Sequence, residues 1–170
     1  MGLTLLVDLG LTAVLGLRGE VAGAVIQAPI VEEFWKGFGV FLIFLIARRS
    51  FDGPVDGVVY GALVGAGFAF TENIQYFAIS LIEGGGEQLT VTFILRAIMS
   101  PFAHAMFTSL TGLAIGLAAR RHASTGAALG FGLLGMLGAM VLHGLWNGSS
   151  FANFFLLYFV LQVPCLLYTS

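Results

Sequence analysis

Carboxylates and imidazoles lie inside apolar stretches of this sequence, where ionisable groups are costly. Glu32 and Glu33 lie on one apolar run, and Glu72, His104 and His143 lie on the next three. A charge at the centre of a bilayer costs about 3 kcal/mol even on lenient scales, so intramembrane ionisable residues are functional candidates by default. Glutamate and histidine can activate water, either as general bases or as metal ligands. The residue types therefore predict chemistry inside a membrane.

The composition is that of an integral membrane protein. Hydrophobic residues make up 58% of the chain, charged residues only 9%, and the mean hydropathy is +0.98; a soluble domain carries about 25% charged residues. The 24 glycines suit close packing of transmembrane helices. We therefore expect the lipid bilayer as a partner, and no nucleic acid, because no basic patch exists to bind phosphates. The single cysteine, Cys165, excludes an intrachain disulfide and a thiolate metal cluster.

Apolar runs alternate with short polar or Gly/Pro-rich connections, which predicts an all-α, polytopic transmembrane bundle. Because a crossing needs about 20 residues, the runs give about six spans, the first and last short. They cover residues 2–17, 21–47, 57–82, 89–119, 125–147 and 151–168. No linker or soluble domain interrupts them, so residues 1–170 are predicted to form a single integral membrane domain.

Paired arginines predict the orientation of the bundle. Arg48 and Arg49 lie in the second connection, and Arg120 and Arg121 lie in the fourth. Even-numbered connections share a side, and the positive-inside rule makes that side cytoplasmic. The third connection, residues 83–88, then lies outside, and both termini are cytoplasmic.

The polar residues of the four runs share one depth. Counted from the predicted cytoplasmic ends of their helices, they lie 15 to 18 residues along. At 1.5 Å per residue this is roughly 22 to 27 Å up a core of about 30 Å. Unrelated polar residues have no reason to share a depth on four successive spans, so we predict one site, in the outer half of the membrane.

Helical spacing separates the roles of the first two carboxylates. Lys36 lies four residues after Glu32 and three after Glu33, so its ammonium can neutralise a carboxylate on its own helix face. Successive residues differ by about 100° around a helix, so the two carboxylates point in different directions. We expect one to face the catalytic water and the other to be held by Lys36 or by a group such as Arg96.

Two further local features belong to the predicted site. His143 and Asn147 are four residues apart and share a helix face, so the amide can orient what the imidazole holds. Pro29 and Pro101 lie about one turn before the carboxylate pair and before His104. Each proline removes a helical hydrogen bond and opens the backbone, as broken helices do around intramembrane sites.

In their order along the chain, the motifs resemble those of the PrsW family of intramembrane proteases, which is similar to the CAAX-protease and bacteriocin-processing superfamily. The resemblance covers about residues 25–150 and is carried by Glu32-Glu33-x-x-Lys36, Phe68-x-x-x-Glu72-Asn73, His104 followed by Gly112, and His143-x-x-x-Asn147. The resemblance implies that the glutamates and histidines of these motifs form an active site in a prokaryotic cytoplasmic membrane. It also implies a membrane-anchored protein substrate, anti-sigma-factor-like, cut on its extracytoplasmic side.

The ends of the chain depart from the family pattern. The first span is weak, and the sequence stops abruptly after residues 165–170. We therefore expect the chain to be truncated at its termini, with flanking spans missing.

Two mechanisms remain open. In one, Glu72, His104 and His143 bind Zn²⁺ and leave the fourth position for water, with Glu32 as general base. In the other, no metal takes part: a glutamate deprotonates a water that the histidines orient, and Asn147 donates to the oxyanion. No HExxH motif favours the first. The predicted site comprises catalytic Glu32, Glu33 and Asn147, metal ligands Glu72, His104 and His143, and supporting Lys36, Asn73 and Arg96.

Two other functions use the same buried groups. A proton-coupled carrier is disfavoured because the sequence shows no inverted repeat. A catalytically idle membrane adaptor is disfavoured because keeping so many ionisable groups in the membrane is costly. The sequence therefore favours an intramembrane endopeptidase.

Overall fold

The computed structural model describes residues 19–164, which form helices and short connections. A helical turn, Glu20–Ala22, and a π-helical segment, Gly23–Gln27, precede the first long helix. The helices are α1 (Ala28–Ile46), α2 (Pro54–Phe93, continued by π-helical Ile94–Met99), α3 (Ala103–Arg120), α4 (Thr125–Ser149) and α5 (Phe154–Leu157, continued by π-helical Tyr158–Gln162). Residues 19–164 contain no strand, which confirms the all-α class.

The surface of the bundle is that of a membrane protein. Large apolar side chains are exposed on several helices, including Ile46 at 84% and Ile82 at 82%. Two helical stretches are long and apolar enough to cross a membrane, Pro54–Arg120 and Thr125–Ser149. The predicted run 2–17 lies outside the described residues, as does the end of the run 151–168. The predicted number of about six spans is therefore not confirmed.

Helix α2 folds back on itself at Gly85. This residue has φ +66° and ψ −158°, a left-handed backbone that glycine adopts without steric penalty. The hydroxyl oxygens of Ser80 and Thr92 are 2.8 Å apart, whereas 12 residues of straight helix would span about 18 Å. Residues 86–99, here called the hairpin arm, therefore pack against the turns before Gly85. The turn falls within the predicted connection at residues 83–88.

The run 89–119, predicted as one span, is divided by a break. The π-helical segment ends at Met99, Ser100 leaves helical geometry, and α3 begins at Ala103. Pro101, which has no backbone N–H, lies in this break. The hairpin arm and α3 can therefore run in different directions while both contribute side chains to the same pocket.

Helices α2 and α3 pack at backbone distance through glycines spaced four residues apart. Gly57, Gly61 and Gly65 are all buried on one face of α2. A β-carbon on Gly61 would lie 2.7 Å from the carbonyl oxygen of Thr108, and one on Gly65 would overlap the carbonyl oxygen of His104. Small residues permit such close approach of membrane helices. This packing fixes the start of α3 against the middle of α2.

The two arginine-bearing connections lie at the same end of the bundle. The guanidinium of Arg48 donates to the hydroxyl of Thr125 at 3.0 Å and to the carbonyl oxygen of Ala123 at 3.5 Å. The connection after α1 therefore touches the connection between α3 and α4. This arrangement agrees with the expectation that even-numbered connections share a side.

Candidate active site

Helix α1 directs its two adjacent carboxylates to different surroundings. Glu33 is fully buried, whereas the side chain of Glu32 is 12% exposed and lines a polar pocket. The ammonium Nζ of Lys36 lies 2.8 Å from Oε1 of Glu33 and 3.3 Å from Oε2 of Glu32. Lys36, itself buried, therefore neutralises the pair from the next turn of the same helix.

Glu33 accepts hydrogen bonds from three different helices. Lys36 donates from α1, the hydroxyl of Thr108 donates from α3 at 3.2 Å, and Nδ1 of His143 on α4 lies 2.9 Å from Oε1. A carboxylate only accepts, so Nδ1 of His143 carries the proton and Nε2 keeps its lone pair. Glu33 thereby fixes the tautomer of His143.

The free nitrogen of His143 faces Glu32. Nε2 lies 3.8 Å from Oε2 of Glu32. The ring of Phe107 stacks on the imidazole at 5.1 Å between centroids, and the ring of His104 meets it edge-on at 5.0 Å. These rings and the bond to Glu33 together hold the imidazole in one orientation.

His104 lies in the first turn of α3, between a cation and a carboxylate. Its Nδ1 is 2.9 Å from Nζ of Lys36, and its Nε2 is 3.0 Å from Oε2 of Glu72. Because an ammonium only donates, Nδ1 accepts and Nε2–H donates to Glu72. The imidazole therefore links the α1 charge cluster to α2.

Glu72 is held by the hairpin arm. The guanidinium of Arg96 forms a salt bridge with Glu72, donates from Nε to Oδ1 of Asn73 at 2.8 Å, and lies 3.9 Å from the centre of the Tyr76 ring. Arg96 and Asn73, both predicted as supporting residues, are therefore bonded to each other beside Glu72. Arg96 joins Glu72, and not the α1 carboxylates.

A polar pocket of about 310 Å³ collects most of the predicted site residues. Its lining includes Glu32, Glu72, Arg96, His104, His143 and Asn147, whereas Glu33 and Lys36 lie behind the lining. The amide of Asn147 donates to the carbonyl oxygen of Ala24 at 2.8 Å. One N–H of this amide thus ties α4 to the π-helical segment before α1, and the other stays available to a ligand of the pocket.

Three donors of the pocket can surround one metal ion. Glu32, His104 and His143 each offer a ligand atom, and these atoms lie within 4.8 Å of one another. Two imidazoles with one carboxylate are a common catalytic zinc set, and a carboxylate bonded to the second nitrogen, as Glu33 is to His143, is the usual support for a zinc-binding histidine. The set fits zinc provided that one nitrogen of His104 gives up its present partner, which is Lys36 at Nδ1 and Glu72 at Nε2. It contains Glu32, whereas the predicted set contained Glu72.

The sequence prediction missed two residues that position the histidines. Thr108 bonds Glu33, and Phe107 stacks on His143. Thr108 lies one helical turn after His104, so the four-residue spacing alone could have assigned it to the same face. Phe107 lies three residues after His104, and its ring also meets that imidazole edge-on at 6.0 Å between centroids, so helical spacing could have placed it beside the site as well.

Comparison with known proteins agrees with the motifs. A family model described as PrsW family intramembrane metalloprotease matches residues 2–169. Protease PrsW of Geobacillus kaustophilus (strain HTA426) is 38% identical over 109 residues, which cover 62% of this chain and 44% of the relative. Protease PrsW of Oceanobacillus iheyensis is 34% identical over 124 residues, which cover 73% of this chain and 52% of the relative.

A third similar protein is Protease PrsW of Bacillus subtilis (strain 168), 32% identical over 122 residues, covering 72% of this chain and 51% of the relative. The chain thus spans about half the length of the curated relatives it matches. No solved structure matches it. The family model covers nearly the whole sequence, and this confirms the resemblance carried by the four motifs. The chain therefore belongs to the PrsW family of intramembrane metalloproteases.

Proposed function

We propose that this chain is an intramembrane endopeptidase that activates water in the polar pocket and hydrolyses a peptide bond of a membrane-anchored protein. Its relatives are named proteases. The observation that carries the proposal is the contrast between the two carboxylates of α1. Glu32 faces the polar pocket beside the free nitrogen of His143, while Glu33 is buried behind it and fully hydrogen-bonded. One carboxylate can react and the other can only orient.

In the metal-free form of the mechanism, Glu32 acts as the general base. A water bound between Glu32 and Nε2 of His143 gives its proton to Glu32 as its oxygen attacks the carbonyl carbon of the substrate. The second N–H of Asn147 donates to the oxyanion that forms. Glu32 then returns the proton to the leaving amine as the carbon–nitrogen bond breaks. Lys36 and Glu33 keep Glu32 and His143 in place throughout.

The metal form uses the same residues in different roles. A zinc ion held by Glu32, His104 and His143 would polarise the attacking water and the substrate carbonyl. Glu33 then keeps the lone pair of His143 at Nε2, directed into the pocket. In that form we assign the role of proton acceptor to Glu72, the other carboxylate that lines the pocket.

We further propose that residues 1–170 belong to one integral membrane domain in a bacterial cytoplasmic membrane, with the site in its outer half. The contact of Arg48 with Ala123 and Thr125 supports this orientation, because it brings both basic connections to one end. The positive-inside rule assigns that end to the cytoplasm. The substrate is then an anti-sigma-factor-like protein, cut on its extracytoplasmic side. The motif-bearing core is about residues 25–150.

The experiment is cleavage of a single-span, membrane-anchored reporter co-expressed with the chain. Glu32→Gln should abolish cleavage, since glutamine keeps size and hydrogen bonding but takes no proton from water. Glu87→Gln, the same change at an exposed position of the hairpin arm, is the matched control and should cleave like the parent chain. Equal cleavage by the parent and Glu32→Gln would overturn the proposal.

A further inference from the structure

A second cavity lies next to the polar pocket. It has a volume of about 560 Å³ and is here called the apolar chamber. Its walls are mostly apolar and come from α2, the hairpin arm, α3 and α5, including Ala69, Val91, Leu95, Ala103, Phe154 and Phe155. The apolar chamber shares four lining residues with the polar pocket: Arg96, His104, Trp146 and Ser150. The two cavities therefore adjoin along these four residues, here called the neck.

We propose that the apolar chamber is the specificity pocket of the protease, which binds a large apolar side chain next to the peptide bond that is cut. The inference rests on the proposed function and adds the class of substrate residue. It names a leucine-sized or aromatic side chain as the occupant.

The apolar chamber adjoins the polar pocket, and this determines which residue of a substrate can reach the chamber. Consecutive α-carbons are about 3.8 Å apart. When the substrate's peptide bond is held beside Glu32 and His143, the substrate residue next to that bond therefore lies at the neck. His104 and Trp146 line both cavities, so that residue's side chain points past them into the chamber. The side chain of a substrate residue several positions from the cut bond would not be fixed at the neck in this way.

The lining selects an apolar side chain by fit. The chamber has room for the largest apolar side chains, and its aromatic walls offer them a large contact surface. The charge of Arg96 at the neck is already matched by Glu72. In lipid the gain comes from packing and not from leaving water, so a small side chain is disfavoured by the void it leaves.

The chamber can be entered from the lipid. Its rim residues Val91 and Phe155 are 52% and 57% exposed, one on the hairpin arm and the other on α5. The hydroxyl of Tyr158 donates to the carbonyl oxygen of Met99 at 2.9 Å, which joins these two elements beside the opening. A transmembrane segment of a substrate can therefore approach sideways between the hairpin arm and α5.

The experiment varies the chamber and the substrate together. The probe is a single-span reporter whose cut site is first mapped by mass spectrometry, with Phe, Leu or Ala at each residue flanking the cut. The parent chain should prefer Phe or Leu over Ala at one flanking position by roughly 10-fold or more in kcat/KM. Val91→Trp, which fills the chamber, should lower cleavage of the Phe reporter by roughly 10- to 100-fold and leave the Ala reporter within about 3-fold.

Two further variants complete the test. Val59→Trp makes the same change at a similarly exposed α2 residue, 49% against 52%, that lines neither cavity, and it should keep the parent's preference. Val91→Ala, which enlarges the chamber, should keep or strengthen the preference for Phe. An unchanged preference in Val91→Trp, with the parent active, overturns this inference alone. A parent chain that cleaves no reporter overturns the proposed function and this inference with it.

Discussion

His143 and Glu33 are 110 residues apart in the sequence, yet Nδ1 of the imidazole lies 2.9 Å from Oε1 of the carboxylate. The bond leaves Nε2 as the nitrogen that faces Glu32 and the polar pocket. Glu33 does not line that pocket: it is fully buried, and it also accepts hydrogen bonds from Lys36 and Thr108. The two neighbouring glutamates therefore have separate tasks, one in chemistry and one in positioning.

Glu33→Gln should destabilise the fold as well as impair cleavage. The substitution leaves Lys36 in the bundle interior without its closest carboxylate, and breaking a buried ion pair typically costs about 3 to 5 kcal/mol. Thermal unfolding in detergent measures the loss. The double variant Glu33→Gln, Lys36→Met should recover part of it, because neither charge of the closest buried pair is then left without the other. A Glu33→Gln protein as stable as the parent would show that the pair does not stabilise the bundle.

Gly65→Ala should lower both stability and cleavage. The added β-carbon meets the carbonyl oxygen of His104, so α2 and α3 must separate and His104 moves away from Glu72. Gly67→Ala is the matched control on the same helix, where a β-carbon has no described heavy atom within 4 Å. It should be neutral or stabilising by up to about 1 kcal/mol, since alanine favours helix over glycine. Equal unfolding temperatures for the two variants would refute the close α2–α3 contact.

Arg96→Met should slow the chemical step more than it weakens substrate binding. Arg96 fixes Glu72, which in turn accepts from Nε2 of His104, so its loss lets both groups shift. Misplacement by about 1 Å can reduce turnover roughly 100-fold, and we expect a fall of that order in kcat with KM within about 3-fold. Arg96→Lys should rescue part of the loss by restoring the charge. Steady-state kinetics on one reporter decides this, and a change confined to KM would contradict the positioning role.

Metal analysis separates the two mechanisms. With zinc, the purified chain should contain about one ion, and His143→Ala or His104→Ala should lose the ion together with activity. Without a metal, chelators should leave cleavage unchanged while both alanine variants are still inactive. Elemental analysis before and after chelation gives the readout. An active parent that holds zinc but keeps full activity after the zinc is stripped would exclude the metal mechanism.

The proposed orientation predicts which turns are accessible from each side of the membrane. In a Cys165→Ala background, Glu87→Cys near the α2 turn should react with an impermeant thiol reagent in intact cells. His122→Cys, between α3 and α4, should react only after permeabilisation. The opposite pattern would invert the topology and move the proposed cut to the cytoplasmic side.

The regular rise of the α-helix is the reason that much of the site can be predicted from the sequence. Counting residues places Glu32, Glu72, His104 and His143 at one depth, and the three- and four-residue spacings join Lys36 to both α1 carboxylates. The spacing also requires the two carboxylates to diverge. Which of them faces the pocket depends on where α3 and α4 pack, and no local pattern records that.

The interactions of Glu72 could not be read from the sequence for a related reason. They depend on the reversal of α2 at Gly85, which brings Arg96 back beside a residue 24 positions earlier. A glycine-rich connection indicates a turn, but it does not indicate which face of α2 the hairpin arm packs against. Metal ligation by Glu72 was therefore a reasonable expectation from depth alone, whereas the geometry groups Glu32 with the two histidines.

The adjacent glutamates differ in role, and the decisive measurement compares the cleavage rate and the unfolding temperature of Glu32→Gln with those of Glu33→Gln. Glu32→Gln should lose more than about 99% of the cleavage rate, a loss typical of a catalytic group, while its unfolding temperature stays close to that of the parent. Glu33→Gln should lose stability as well as activity. A Glu32→Gln protein that cleaves at close to the parent rate would contradict the account.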